Sequence, residues 1–107
     1  MKQNRVVNIN KEKCDIYIGR VKNCSTHFGN PFSDKDNTLA NVKLKSRKEA
    51  VKAFEEWLDG TNYQEVESER REWIINNLEQ LRNKTLGCFC KPLECHGDIL
   101  IKQLNKK

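Results

Sequence analysis

Apolar positions along this chain fall into short runs near the start, two stretches at helical spacing in the middle, and a run followed by helical spacing at the end. Arg5-Val6-Val7-Asn8-Ile9 is rich in β-branched residues and predicts a first strand. A polar turn, Asn10 to Lys13, leads to Cys14-Asp15-Ile16-Tyr17-Ile18, a second strand closed by Gly19-Arg20. From Val21 to Lys45 periodicity fades, and Gly29, Pro31 and several Asn, Asp and Ser residues mark a long loop. Long loops inside small domains are often functional. Pro31 keeps Asn30 out of the helical region, so Gly29-Asn30-Pro31-Phe32 is expected to be a defined extended turn.

Ser46-Arg47-Lys48-Glu49 is a capping box, in which Ser covers one orphan NH and Glu reaches back to another. The helix it opens carries Ala50, Ala53, Phe54, Trp57 and Leu58 on one face and stops near Gly60. A second helix, Val66 to Asn83, presents Val66, Trp73, Ile74, Leu78 and Leu81 as core. Thr85-Leu86-Gly87-Cys88-Phe89-Cys90 reads as a buried third strand. After Pro92, Cys95 to Asn105 returns to helix with Ile99, Leu100 and Leu104 inward. This order predicts one α/β domain over residues 1–107, a small sheet with helices packed on it. It leaves the strand order open.

Composition sharpens the picture in two ways. The formal charge of +5 suits a phosphate-bearing partner, yet the bases are scattered and interleaved with acids, which gives nucleic acid weak support. The five cysteines are odd in number, Met1 to Arg5 lack a secretion signal, and no stretch is long enough to span a bilayer. The expectation is a cytoplasmic protein without membrane contact, its cysteines held as thiols or metal ligands.

The chemistry concentrates in Gly87-Cys88-Phe89-Cys90-Lys91-Pro92-Leu93-Glu94-Cys95-His96-Gly97-Asp98, between strand and helix. Helix N-termini attract anions and acidify thiols there. A metal reading takes Cys88, Cys90, Cys95 and His96 as soft donors, against which stands the adjacency of Cys95 and His96 in place of a Cys-x-x-Cys pair. A nucleophile reading takes Cys95 with His96 or His27 as its base, His27 being preferred because neighbours in sequence seldom pair; Asp98 is a further catalytic candidate. A pocket reading places a ligand beyond the carboxyl ends of the strands. Arg20 would then grip a phosphate, Asn30 read a base or ribose, Phe32 stack on a ring, and Asp98 take a ribose hydroxyl. Plainer roles stand beside these: Cys88 and Cys90 as small core residues, Gly97 as a packing position, Asp98 as a helix-start acid, Phe32 as core. For Cys88 the plain role is preferred, and for Arg20 with Gly29 to Phe32 the functional one.

Arg5-Val6-Val7-Asn8, Tyr17-Ile18-Gly19-Arg20, Gly29-Asn30-Pro31-Phe32 and Cys88-x-Cys90-x-Pro92-x-x-Cys95-His96-Gly97-Asp98 together resemble a small phage and bacterial family catalogued as a domain of unknown function. The resemblance covers nearly the whole chain and implies no assigned activity. The last motif is also similar to a second uncharacterised group with a Cys-His pair opening its last helix. That similarity implies a Rossmann-like sheet related at a distance to nucleotide- and nucleoside-handling folds. Where the family often carries a tryptophan before the Gly-Asn-Pro loop, this chain has His27-Phe28.

These readings converge on a small Rossmann-like protein that binds a nucleotide or ADP-ribose-like molecule. Its ligand residues would be Arg20, Gly29, Asn30, Phe32, Cys90, Pro92, Cys95, His96, Gly97 and Asp98. A phage origin would add the sequestering of a nucleotide second messenger of host defence, in the host cytoplasm. The first alternative is an enzyme cleaving or transferring at a glycosidic bond through Cys95 or Asp98. The second is a zinc-stapled or nucleic-acid-binding accessory module. No cofactor is called for, and a second copy of the chain could complete the pocket.

Overall fold

In a computed structural model, residues 4–20, 27–33, 42–89 and 95–106 are described. In chain order they form β1 (Arg5–Asn8), β2 (Ile16–Tyr17), β3 (Phe32–Ser33), β4 (Val42–Lys43), α1 (Arg47–Asp59), α2 (Ser68–Asn77), a 3-10 turn (Leu78–Leu81), β5 (Thr85–Cys88) and α3 (His96–Asn105). The last strand to form in sequence is the middle one in space: the main sheet runs β1-β5-β2, all parallel. Every residue of β5 is buried, as befits a central strand of a parallel sheet. Arg5 to Asn8 stand opposite Thr85 to Cys88, and Ile16 and Tyr17 opposite Leu86 and Gly87. The ladder continues past the strand ends through Ile9 NH to Cys88 carbonyl and Ile18 NH to Gly87 carbonyl.

Parallel strands need a crossover, and the one from β1 to β2 is unusually short. It passes tightly over β5 at Gly87, where a Cβ would come within 2.4 Å of Cys14 Sγ and 2.6 Å of Ile9 Cγ2. On the other face α3 lies down at Gly97, where a Cβ would meet Ile18 Cδ1 at 2.6 Å and Val6 Cγ2 at 2.9 Å. Two glycines therefore set how closely the layers approach. Behind α3 the core gathers Phe32, Phe54, Trp57, Ile74, Leu78, Leu81, Leu86, Leu100 and Leu104.

Helix α1 follows its sequence signals. The Ser46 side chain accepts from the Glu49 NH, Gly60 closes the helix at φ 80°, and Ala50, Ala53, Phe54, Trp57 and Leu58 are buried. Arg71 donates to the Trp57 and Leu58 carbonyls at 2.6 and 2.9 Å, so a cation from α2 covers the end of α1.

Three expectations are corrected. The helix foreseen over Val66 to Asn83 starts only after Glu67, which is left-handed at φ 37°. It tightens at Leu78–Leu81, which turns Leu78 and Leu81 inward, and a left-handed Asn83 follows. The long loop contains β3 and β4, paired parallel with Phe32 opposite Val42. The third strand stops at Cys88, and Phe89 beyond it is 59% exposed. The α/β class with helices on a small sheet is what the chain adopts.

Candidate functional site

Three segments meet where β2 and β5 end: the turn Ile18-Gly19-Arg20, the loop His27 to Pro31, and the start of α3. The first and third are joined by His96, whose Nε2 lies 2.7 Å from the Ile18 carbonyl oxygen. The first and second are joined at Gly29, where a Cβ would come within 2.4 Å of Arg20 Cγ and 2.8 Å of Arg20 Cα. Only a bare α-carbon lets the Arg20 chain lie this close to the loop. His27 belongs to the same knot, its Nδ1 accepting the Gly29 NH at 3.1 Å.

Arg70 on α2 supports the loop from behind and is 5% exposed. Its Nε donates to Glu67 at 2.7 Å, and Nη1 donates to the carbonyls of His27 and Gly29 at 3.1 and 2.6 Å. The guanidinium also sits 5.5 Å from the centre of the Trp57 ring. Its Nη2 is buried with no hydrogen-bond partner among the described residues. Burial first, then the charges of Arg70, Arg20 and His96, push the His27 pKa down to about 4, with Glu67 opposing. His27 is therefore neutral near pH 7, in a place where positive potential accumulates.

The thiols form a second, adjoining group. Cys95 is the N-cap of α3, and its Sγ accepts the Gly97 NH at 3.4 Å. It lies 3.0 Å from Cys88 Sγ and 3.7 Å from His96 Nδ1. A carbonyl can only accept, so in the neutral ring His96 Nε2 carries the proton and Nδ1 faces the thiol as a bare lone pair. The base beside Cys95 is thus its sequence neighbour His96, where the sequence argument favoured His27. The two can pair because Cys95 is extended at φ −143° while His96 begins the helix.

Other predicted site residues have structural work. Asn30 donates to the Ala50 carbonyl at 3.1 Å and accepts from the Phe32 NH at 2.9 Å, so its amide shapes the turn and anchors it to α1. Phe32 is 2% exposed and packs its ring against Trp57 and Tyr63, in place of the ligand-stacking surface expected of it. Gly97 is buried against the sheet, its NH taken by the Cys95 sulfur, and the Asp98 NH bonds the Cys95 carbonyl. The amides expected to receive an anion are capped from within the chain. Asp98 is exposed on the first turn of α3. Cys90 and Pro92 lie outside the described residues. No group of three or more His, Cys, Asp and Glu residues is arranged to hold a metal ion among the described residues.

Arg70 was absent from the sequence reading, though a signal existed. It stands four residues after Val66 and four before Ile74, on the apolar stripe of its helix, where a solvated cation has no place.

Among the described residues no helix is long and apolar enough to cross a membrane. No solved structure matches the chain. It is 34% identical over 102 residues to a protein of Enterobacteria phage T4 described as "Uncharacterized 12.4 kDa protein in nrdA-td intergenic region", covering 95% of this chain and 78% of the relative. A family model described as "Domain of unknown function (DUF4326)" matches residues 1–106, and the chain belongs to that family.

Proposed function

We propose that the protein binds a nucleotide or ADP-ribose-like molecule in the cytoplasm, with its phosphate held beside Arg20, His27 and Arg70. The observation that carries this reading is the Arg70 guanidinium on the His27 and Gly29 carbonyls, with the Arg20 side chain packed against Gly29 and its charge acting on His27. A buried guanidinium nitrogen without an acceptor is costly, and an anion oxygen would satisfy it. The reading treats β1-β5-β2 with α3 as a reduced Rossmann-like arrangement, in which ligands sit beyond the carboxyl ends of the strands. Asn30 and Phe32 fix the loop in this account and leave base contacts to other groups. A protein of this kind acts by withdrawing its ligand, which in a phage setting would fit capture of a nucleotide signal.

Calorimetric titration with ADP-ribose and a panel of adenine and guanine nucleotides tests it. Arg20→Ala should weaken binding about tenfold or more, as loss of a charge-assisted contact worth ~1.5–3 kcal/mol. Wild-type protein that takes up none of the panel would remove the proposal. Unchanged affinity in Arg20→Ala would remove Arg20 from it.

A second reading, an enzyme acting on the same ligand class, draws support from the Cys95–His96 contact, since a thiol beside a bare imidazole nitrogen is a nucleophile in waiting. Product formed from any member of the panel, and lost in Cys95→Ser, would favour it over binding alone.

A further inference from the structure

We propose that Cys88 and Cys95 are a redox-active pair that closes to a disulfide and reopens. The reading is independent of the ligand. Neither residue is in a disulfide, both are 1% exposed, and their sulfurs stand 3.0 Å apart. A disulfide bond spans ~2.0 Å, so closure asks for a movement of about 1 Å. One sulfur sits at the end of β5 and the other caps α3, seven positions later in sequence.

The surroundings make Cys95 the attacking thiol. Its sulfur takes the Gly97 NH at the positive end of the α3 dipole, which favours the thiolate. His96 Nδ1, held toward it by the Nε2–Ile18 bond, lies 3.7 Å away and is the base placed to take its proton. Burial of both thiols selects a small oxidant, and we assign the class as peroxide. The Cys95 thiolate attacks one peroxide oxygen and breaks the O–O bond, giving Cys95 sulfenic acid and hydroxide, which takes up the proton left on His96 to become water. Cys88 sulfur then attacks Cys95 sulfur and displaces hydroxide, which leaves as water with the Cys88 proton. Two thiols lose two electrons in total, and one hydrogen peroxide is reduced to two waters. A dithiol reductant reverses the change by exchange.

The closed pair ties the end of the central strand to the cap of α3 and removes the thiol that faces His96. The test treats reduced full-length protein with stoichiometric hydrogen peroxide, followed by intact-mass measurement and peptide mapping without reduction. The expected result is a mass lower by about 2 Da, a cross-linked peptide joining Cys88 to Cys95, and full reversal by dithiothreitol. Cys14→Ala should behave as wild type, and Cys88→Ser should accumulate a sulfenic acid at Cys95 that a cyclic diketone traps. Because Cys88→Ser removes a buried contact, the wild-type mapping decides the matter if that variant does not fold. Both thiols still alkylated on unfolding after peroxide, pairing of either with another cysteine, or stoichiometric metal on the two thiolates of the reduced protein would each overturn it.

Discussion

Arg70 places a charge where the helix pattern calls for an apolar side chain, and it holds the candidate site together. It satisfies two loop carbonyls, pairs with Glu67 and covers the Trp57 ring. Replacement by alanine takes away the Glu67 ion pair and leaves those carbonyls short of a donor. Arg70→Ala should therefore cost about 2–4 kcal/mol in urea unfolding near pH 7, more than truncation of a surface arginine. A loss below about 0.5 kcal/mol would mean that the loop does not depend on it. At this scale the sequence was half legible. Arg20 and the Gly-Asn-Pro turn stood out because polar loops gain nothing from so specific a pattern. The inward role of Phe32 did not, since an aromatic in a loop has no periodicity to show which side it faces. The His96 contact depends on the bend at the α3 cap, which adjacency in sequence conceals.

Elements differ in legibility for reasons of length. Helix α1 declares itself through its own cap, its stripe and Gly60, all local signals. Strands β3 and β4 are two residues each, too short for alternation to register, and exist because Phe32 is fixed in the core. Strand β5 was readable as buried, but its place between β1 and β2 depends on a crossing that only three dimensions reveal. That crossing makes a prediction. Gly87→Ala drives a methyl into Cys14 Sγ and Ile9 Cγ2 and should destabilise the fold by about 1–3 kcal/mol. Adding Cys14→Ala should recover part of the loss, so that the double-mutant cycle is non-additive. Additive effects, read from denaturant midpoints, would show that the connection does not press on β5 at this point.

For the molecule as a whole, a net charge of +5 favours anions near the surface, and at the candidate site the charges of Arg70 and Arg20 act on His27 in that sense. His27 reports it. Its folded pKa of about 4 lies below the unfolded value near 6.5, so the unfolded chain binds the proton more readily. The His27 contribution to stability is accordingly intact above pH 6.5 and falls away as pH drops toward 4. His27 is only partly buried, which tempers the size of that loss. An anion bound beside the ring would act in the opposite sense to the two arginines and lift its pKa.

The most direct measurement is the NMR titration of the His27 ring protons, assigned with His27→Asn, in the unliganded protein and with saturating ADP-ribose. The account predicts a midpoint near 4 without ligand and a distinct upward shift with it. A midpoint in the ordinary imidazole range that ADP-ribose and the nucleotide panel leave unmoved would contradict it.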